Sequence, residues 1–490
     1  MRVMLIYSPY RYPHAYAMRT ELLGITYLAA CLRNSRYDVA IFDPTIHAPI
    51  KLEDGSYYYG ISDNNIRDAI GRYAPDVVGI SCHYAYSHHE AFRVAELAKE
   101  VNPDITTVMG GLYPSIYKEK SLLGSYAVDY GLVGEGEKSL LDLLHFLATN
   151  SLDVGQVDGL LYKHKNEVIY NTKCHFIEDL DQIPYPARDM VDIHLYMNSG
   201  TVLYGLGNRP SLSIITSRSC PNRCSFCNMW LVQGPRWRAR SPENVLGEID
   251  ELVNKYKAEH VFVMDDNFNL DPERVKIICE GIIRKSFRFK WNTPNGISAK
   301  RVDAEMAHLM KRAGCVNVCI GIESGSEYIR NDIVKKNVSN EEIEKAIMHF
   351  KSAKIPVGGF IIIGMLGEDN HQFEKTVAFI RRLPLSFIAT TFAVPMPGTK
   401  LYQDLVNNGI IDEDFEIGID NFNYPLFSTL EFSKQELLRR RKRLFNSFFF
   451  SHIPLIFKEL LAGQLTWIKP DMLKRFLSEK IFNNCPLTYL

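Results

Sequence analysis

The chain has 490 residues, an apolar fraction of 46% and a formal net charge of −1, from 56 basic and 57 acidic side chains. This length allows two or three domains that each bury a core. The balanced charge gives no electrostatic signature of nucleic-acid binding, so we expect no nucleic-acid partner. No run of about 20 apolar residues is present, so we expect no transmembrane helix.

The N-terminus lacks the pattern of a signal peptide. The ten cysteines are mostly scattered through apolar runs of a large chain with helix and strand patterning. This distribution indicates reduced thiols rather than a secreted disulfide framework. We therefore expect a cytoplasmic protein.

Residues 1–149 alternate short apolar strands with amphipathic helices. The predicted strands are apolar on both faces, which is typical of a parallel sheet covered by helices on both sides. We predict a doubly wound, Rossmann-like α/β domain, which binds ligands beyond the carboxyl ends of its strands. The predicted strands lie at residues 3–7, 39–42, 77–81, 105–109 and 130–133.

The alternation breaks at residues 150–207, which we interpret as a linker with a small hairpin at 159–170 and Asn166 near its turn. Six β/α units then span residues 208–400 and predict a partial TIM-type (β/α)6 barrel with its functional residues at the carboxyl ends of the strands. Residues 401–490 are predicted to be mainly helical. The barrel strands are predicted at residues 212–215, 260–264, 289–291, 316–322, 357–363 and 387–394.

Three cysteines lie within eight residues, directly after the first barrel strand: Cys220, Cys224 and Cys227. One loop can thus place three thiolates on three corners of a cubic iron–sulfur cluster, for which thiolates are the preferred ligands. One iron would then lack a protein ligand and could bind a bidentate molecule. A zinc site, which usually takes a fourth Cys or His, and fortuitous core cysteines are the weaker alternatives.

The spacing Cys-x3-Cys-x-Phe-Cys, with Phe226 before the last cysteine, resembles the signature of the radical S-adenosylmethionine (SAM) superfamily. The resemblance implies a 4Fe-4S cluster whose open iron binds the amino and carboxylate groups of SAM. It also implies a one-electron reductant such as flavodoxin or ferredoxin. The electron cleaves SAM to methionine and a 5′-deoxyadenosyl radical, which abstracts hydrogen from the substrate.

The same resemblance implies SAM contacts by Phe226 and at successive strand ends. Acidic side chains after the second strand would meet the methionine end, a Glu-Ser pair after the fourth strand would meet the ribose, and the fifth strand would meet adenine. Each acidic residue could instead be a helix cap or a solvated charge. The implied residues at the strand ends are Asp265, Asp266, Glu323, Ser324 and Gly364.

A doubly wound domain before such a barrel resembles the cobalamin-binding radical SAM enzymes. The resemblance implies that glycines at the strand ends let the backbone approach a flat corrin, although these glycines could also serve only as turns. Asp43 and His47 do not form a complete Asp-x-His-x-x-Gly loop, so we predict that no protein histidine ligates cobalt. The implied cobalamin contacts are Ser81, Gly110, Gly111, Tyr113, Gly134, Glu135 and Gly136.

These features predict a cobalamin-dependent radical SAM enzyme, with methyl transfer to an unactivated carbon or phosphorus centre of a small-molecule biosynthetic intermediate as the leading activity. An oxidative cyclase or rearrangement enzyme without net methylation is one alternative. A methylthiotransferase-like enzyme is disfavoured, because Cys31 and Cys82 are too few for a second cluster in the N-terminal domain. A non-enzymatic corrinoid or iron–sulfur binding module is the remaining alternative. The sequence identifies neither the substrate nor a catalytic side chain.

Overall fold

The computed structural model describes residues 1–14, 21–149, 153–165, 167–197, 209–418 and 423–463. The chain forms two compact units. The first contains Met1–Tyr196, Asn228–Arg236 and Glu416–Ile419, and the second contains Met197–Cys227, Trp237–Phe415 and Asp420–Leu490. Among the described residues, no helix has both the length and the apolar character needed to cross a bilayer.

The first unit is built on a seven-stranded sheet with the order β10-β9-β8-β7-β6-β1-β3, in which β3, β1, β6, β7 and β8 run parallel. A second sheet, β2-β5-β4, is small and antiparallel. The strands are β1 (Arg2–Tyr7), β2 (Tyr10–Tyr12), β3 (Asp38–Phe42), β4 (Ile50–Lys51), β5 (Tyr57–Tyr59), β6 (Val77–Cys82), β7 (Thr106–Gly111), β8 (Tyr130–Leu132), β9 (Leu160–His164) and β10 (Glu167–Tyr170).

Helices cover both faces of the large sheet. Because successive side chains of a strand point to opposite faces, Val3 and Leu5 of β1 enter the core beneath α1 and α6, whereas Met4 and Ile6 enter the core beneath α2 and α3. This arrangement confirms the predicted doubly wound fold. The helices are α1 (Leu23–Asn34), α2 (Asp63–Tyr73), α3 (His88–Val101), α4 (Leu112–Tyr117), α5 (Lys120–Leu123), α6 (Gly136–Thr149), α7 (Ile193–Met197) and α8 (Met229–Gln233).

The hairpin expected within the linker belongs to the first sheet. Strand β9 pairs antiparallel with β8, in the register Tyr130↔Tyr162, so the hairpin extends the sheet at its edge. The predicted hairpin is therefore present, and the interpretation of residues 150–207 as a linker stays a prediction. Asn166 and the predicted boundaries at 150 and 208 lie outside the described residues, and those boundaries stay a prediction.

The segment after the hairpin is fastened to α1. The buried Arg188 guanidinium pairs with the buried carboxylate of Glu21, just before the helix. The Ala187 N–H donates to the carbonyl of Thr26 at 2.9 Å. A buried charge is tolerated only when it is paired and hydrogen-bonded, so this pair fixes where the chain leaves the first unit.

The second unit contains a six-stranded parallel sheet in the order β11-β14-β15-β16-β17-β18, with helices between the strands. Sequential order with helical crossovers confirms the predicted partial barrel. The strands are β11 (Ser211–Ile214), β12 (Ser217–Arg218), β13 (Arg238–Ala239), β14 (His260–Val263), β15 (Lys290–Ile297), β16 (Cys315–Glu323), β17 (Val357–Ile363) and β18 (Phe387–Phe392).

The helices of this unit include two single π-helical segments, Glu251–Lys255 and Tyr328–Ile333. The C-terminal part is helical at α14 and α15, whereas the predicted helical residues 464–490 lie outside the described residues. The α-helices are α9 (Pro242–Asp250), α10 (Pro272–Arg284), α11 (Ala304–Arg312), α12 (Asn340–Ser352), α13 (Asn370–Arg382), α14 (Lys400–Asn407) and α15 (Lys434–Leu461). Short 3-10 turns occur at Pro44–Ile46, Ala85–Ser87, Val154–Gln156, Leu180–Gln182, Arg188–Met190 and Ala299–Arg301.

A ladder of polar side chains crosses three barrel strands in the amino-terminal half of the sheet. His260 Nε2 lies 3.0 Å from Asn292 Oδ1, and Asn292 Nδ2 donates to Asn317 Oδ1 at 3.1 Å. All three residues are buried, and burial lowers the pKa of His260 to about 4. The imidazole is therefore neutral in the folded protein at neutral pH.

Candidate functional site

The cysteine loop leaves the carboxyl end of β11 and is held by neighbouring strand connections. Cys224 is buried, while Cys220 and Cys227 are partly buried. The backbone N–H of Ser225 donates to the carbonyl of Val334 at 2.9 Å, and its carbonyl accepts from the N–H of Leu401 at 2.8 Å. The loop is thus anchored to segments that follow β16 and β18.

The donor set of this loop fits an iron–sulfur cluster better than a single metal ion. None of the nine cysteines that the structure describes is in a disulfide. Within the described ranges, no three His, Cys, Asp or Glu side chains converge closely enough to hold one ion. A cluster instead takes one thiolate for each iron, so it does not require the three sulfurs to meet at a point.

The two adjacent carboxylates after β14 differ in their hydrogen bonding. Asp265 is buried and accepts three hydrogen bonds at 2.6 Å, from the N–H and hydroxyl of Thr216 and from the hydroxyl of Ser217. Its carboxylate therefore fastens the segment between β11 and the cysteine loop. Asp266 Oδ2 is also buried but has no hydrogen-bond partner among the described residues. Burial, with a smaller contribution from Asp265, raises the pKa of Asp266 to about 6.

Glu323 ends β16 in a conformation that is unusual for a residue with a side chain. Its φ is +59°, and the pairing with β17 is irregular between Gly321 and Glu323. The buried Glu323 carboxylate accepts from Lys336 Nζ at 2.5 Å. Burial lowers the pKa of Lys336, but the charge of Glu323 and the Cys224 thiol outweigh this effect and raise it overall. A charged Lys336 thus lies between the acidic strand end and the cysteine loop.

Ser324 bonds to α13 and to the following turn. Its hydroxyl lies 2.8 Å from the hydroxyl of Thr376 on α13 and accepts from the N–H of Ser326 at 3.1 Å. The side chain is buried. It therefore joins the barrel sheet to a helix, and of the predicted Glu-Ser pair only the glutamate lies beside the cysteine loop.

Phe226 lies against an apolar cluster of the second unit, and Gly364 lies in the chain between two members of that cluster, Ile362 and Met365. Phe226 packs against the cluster that includes Cys224, Ile362 and Met365. Gly364 has a φ of +86°, and its N–H donates to Glu368 Oε2 at 2.9 Å. Burial raises the pKa of Glu368 to about 7. Glu368 therefore closes the loop after β17, where the sequence has no stiffening proline.

Several polar atoms along these strands have no hydrogen-bond partner within the part of the chain that the structure describes. Sequence reasoning did not single out most of them, or Lys336, because no motif marks them. The available signal was a polar residue inside or directly after an apolar strand. The buried atoms are Ser225 Oγ, Asp266 Oδ2, Asn267 Oδ1, Thr293 Oγ1 and Thr390 Oγ1.

The first unit brings its predicted glycines to the carboxyl ends of β6, β7 and β8. Gly110 pairs with Ser81, and a Cβ at Gly110 would meet nothing within 4 Å. Gly111 has a φ of +101°, and a Cβ there would lie 2.6 Å from the carbonyl oxygen of Cys82. Ser115, which the sequence analysis missed, accepts from the N–H of Gly134 at 2.9 Å and donates to the carbonyl of Gly111 at 2.7 Å.

Two of the residues predicted to contact cobalamin have contacts with other residues of the first unit. Tyr113 is buried and stacks on His88, with ring centroids 4.5 Å apart. Glu135 Oε2 accepts from the N–H of Ile177 at 3.0 Å and thereby holds the segment after the hairpin. Gly136 begins α6, where a Cβ would press against Leu28.

Family comparisons identify both units. A model of the radical SAM superfamily matches residues 214–380, and a model of the B12 binding domain matches residues 15–144. The chain belongs to the cobalamin-binding radical SAM enzymes. This membership confirms the predicted family and assigns the enzyme an iron–sulfur cluster, SAM and cobalamin as its cofactors.

Relatives of this radical SAM enzyme match it over most of their length. The uncharacterized methyltransferase PH0819 of Pyrococcus horikoshii is 26% identical over 460 residues, covering 90% of this chain and 93% of the relative. The cytidylyl-2-hydroxyethylphosphonate methyltransferase of Streptomyces wedmorensis is 26% identical over 429 residues, covering 81% of this chain and 79% of the relative. The anaerobic magnesium-protoporphyrin IX monomethyl ester cyclase of Rubrivivax gelatinosus is 26% identical over 466 residues, covering 92% of this chain and 77% of the relative.

The fold is shared with a solved structure, the radical SAM methyltransferase TsrM from Kitasatospora setae with cobalamin and a 4Fe-4S cluster bound. The TM-score is 0.65 at 18% identity, over 83% of this chain and 75% of TsrM. At that identity the likeness concerns the fold.

Proposed function

We propose that the enzyme is a methyltransferase that adds a methyl group to an unactivated carbon or phosphorus centre of a small-molecule biosynthetic intermediate. The observation that carries the proposal is one loop with three cysteines outside any disulfide at the carboxyl end of a barrel strand, in a chain that also has a B12 binding domain. Relatives named as methyltransferases, including the one from Streptomyces wedmorensis, favour this reaction.

In this proposal Cys220, Cys224 and Cys227 hold the cluster and leave one iron open for SAM. When bound, the cofactors supply the one-electron cleavage of SAM and the transferable methyl group. The protein's own side chains bind and orient SAM. The uncommitted oxygen of Asp266 would accept from the ammonium group, and Glu323, oriented by Lys336, would accept from the ribose hydroxyls.

Other predicted residues have supporting roles. Asp265 and Ser324 position the strand ends, Phe226 gives an apolar wall, and Gly364 lets the backbone turn beside it. On the first unit, the open space beside Gly110 and the turn at Gly111 would admit the corrin. Its remaining contacts would come from the strand ends at Ser81, Gly134, Glu135 and Gly136, with Tyr113 as their packed support.

A cyclase without net methylation is the second candidate, because the Rubrivivax gelatinosus cyclase matches 92% of this chain. Anaerobic incubation of the reconstituted enzyme with trideuteromethyl-SAM, hydroxocobalamin and titanium(III) citrate separates the two. A methyltransferase should yield S-adenosylhomocysteine and deuterated methylcobalamin as well as 5′-deoxyadenosine. Deoxyadenosine with neither methylated cobalamin nor S-adenosylhomocysteine would contradict methyl transfer and favour the cyclase.

The cluster ligands are tested with matched cysteine variants. Cys224→Ala should lose most of its iron and all deoxyadenosine formation. Cys319→Ala, which changes a buried core thiol in β16, should retain both. Equal iron content in the two variants would contradict the assignment. We further propose that a flavodoxin or ferredoxin in the cytoplasm supplies the electron, which replacing titanium citrate by either protein would test.

A further inference from the structure

One face of helix α15 packs on the barrel. His452 Nε2 lies 2.6 Å from the carbonyl of Leu383, which precedes β18, and Ile456 packs in one cluster with Cys319 and Phe387. The side chains of His452 and Ile456 are buried. Because the side chains of an α-helix project all round its axis, fixing this face determines which residues of α15 point outwards.

The opposite face of α15 ends in an exposed apolar stripe. Phe450, Phe457 and Leu461 are 65%, 52% and 88% exposed, and Pro454 between them is exposed as well. The spacing of four, three and four residues places these side chains in one row along the helix, about 16 Å long. Exposed apolar residues are ordinary when they are scattered singly, whereas a contiguous row marks a surface that contacts a partner.

Basic side chains continue this row towards the start of the helix. Arg439 and Arg443 precede Phe450 by eleven and seven residues, so they lie on the same face, and both are exposed. Lys458, near the end of the helix, is exposed too. Arg443 Nη2 donates to Glu374 Oε2 of α13 at 2.8 Å. A surface pair of this kind contributes little, so Arg443 remains available to another anion.

Helices α13 and α15, which pack against each other, are strongly basic. They carry ten basic and three acidic side chains, although the whole chain has a formal net charge of −1. Positive charge is therefore concentrated on these two helices, and such a concentration attracts an anionic partner. A nucleic acid or an acidic protein would use the cations but not the row of Phe and Leu side chains. An anionic bilayer uses both, through its phosphates and its acyl chains.

We propose that α15 docks the enzyme on the surface of an anionic bilayer. The stripe of Phe450, Phe457 and Leu461 enters the boundary between the lipid head groups and the acyl chains. Arg439 and Arg443 lie over the lipid phosphates. The helix lies along the bilayer surface and does not cross it. The proposal concerns where the enzyme acts, so it is independent of the reaction proposed above.

Co-sedimentation of the full-length, anaerobically reconstituted enzyme with lipid vesicles tests the proposal. The wild type should sediment with vesicles that contain phosphatidylcholine and phosphatidylglycerol in a three-to-one ratio. It should bind vesicles of phosphatidylcholine alone at least about tenfold more weakly, because these carry no net charge. Added salt should release the enzyme from the mixed vesicles, since exposed charges are screened. No binding to the mixed vesicles, or equal binding to both kinds, would overturn the proposal.

Matched variants locate the contact. The double variant Phe450→Ser, Phe457→Ser should bind the mixed vesicles at least about tenfold more weakly than the wild type. Ile277→Ser, which removes an exposed apolar side chain of α10, should bind as the wild type does. Arg439→Glu should weaken binding, whereas Lys138→Glu on α6 should leave it unchanged. Circular dichroism checks that each variant is folded, and if the double variant is not, the two charge variants decide.

Sedimentation velocity without lipid tests the other occupant of the stripe, a second copy of this chain. The proposal expects the wild type and the double variant to have the same oligomeric state. A wild-type dimer that dissociates in the double variant and binds no vesicles would overturn the proposal in favour of self-association. Vesicle binding that is unchanged in the double variant or in Arg439→Glu would overturn it as well.

Discussion

Replacement of Asp265 by alanine should destabilise the protein and loosen the cysteine loop. The carboxylate accepts three bonds at 2.6 Å from Thr216 and Ser217, which are themselves buried. The Ser217 hydroxyl can turn to the carbonyl of Asn267, 3.4 Å away, so two donors lose their acceptor. An unsatisfied buried donor costs about 1–3 kcal/mol. Part of this cost is offset, because burial raises the pKa of Asp265 and shows that its charge is itself unfavourable there.

We therefore expect Asp265→Ala to lower the free energy of unfolding of the apoprotein by about 2–4 kcal/mol. Urea denaturation followed by circular dichroism measures this change, and iron content after reconstitution measures the effect on the loop. Asp142→Ala is the control, since it removes only a helix-surface pair with Lys138 and should cost less than about 0.5 kcal/mol. Wild-type stability and wild-type iron content in Asp265→Ala would refute the reasoning.

Three further outcomes follow from buried groups and strained turns. The pKa of Asp266 is raised to about 6, so its contribution to stability is present below the unfolded-state pKa and is lost as the pH rises through 6. Asp266→Asn should consequently stabilise the apoprotein at pH 8 by about 1–3 kcal/mol and give no gain at pH 4, by urea denaturation. The pKa of His260 is lowered to about 4, so wild-type stability falls as the pH drops from 6.5 towards 4. Between pH 7 and pH 5, His260→Gln should remove about 2 kcal/mol of this loss in the free energy of unfolding, measured by urea denaturation. The same pH dependence of stability in the variant and the wild type would contradict this expectation. Gly111→Ala should lower the free energy of unfolding by about 1–3 kcal/mol, because its φ is positive and a Cβ would meet the backbone of Cys82. Gly110→Ala should fold normally, since a Cβ there meets nothing within 4 Å, but should bind hydroxocobalamin more weakly in an equilibrium titration.

Apolar runs were sufficient to place most strands. Residues 357–363 were predicted and observed as a strand with the same bounds, because every face of that segment is covered. The prediction of 289–291 was too short, since β15 continues to Ile297 through an irregular stretch. That stretch contains Pro294 and Gly296, which usually mark a chain break. The periodicity that underlies strand prediction does not anticipate a bulge.

Elements with few apolar residues were missed. Helix α2 buries only Ile66, Ala69 and Ile70, although Ser62 caps it and the spacing is helical. The small sheet of β2, β5 and β4 has very short strands and depends on tertiary contacts, such as the stacking of Tyr10 on Tyr59 at 4.9 Å. Local sequence cannot indicate partners that are brought together only by the fold.

In the site, too, the sequence predicted the motif but not the partners of the surrounding side chains. The cysteine spacing predicted one loop, and the loop lies at the carboxyl end of β11. Sequence could not tell that Asp265 is fastened to Thr216 while Asp266 keeps an unpartnered oxygen, because the partners come from another strand. Lys336 belongs to no motif, and only the fold brings it to Glu323.

The backbone at Glu323 is strained where its side chain pairs with Lys336, and we propose that this orientation serves a ligand rather than stability. A non-glycine residue at φ +59° costs about 1–3 kcal/mol. The strand pairing before it is irregular, and residue 321 is glycine, where a Cβ would meet the side-chain ends of both Glu323 and Lys336. A buried carboxylate that only packed the barrel would be more stable as an apolar side chain of similar size. The fold instead retains a strained acid, a paired lysine and a glycine that admits them, beside the loop that holds the three cysteines. Strain of this kind persists where surrounding structure fixes a side chain for binding, which is the role we propose for Glu323 towards the ribose of SAM.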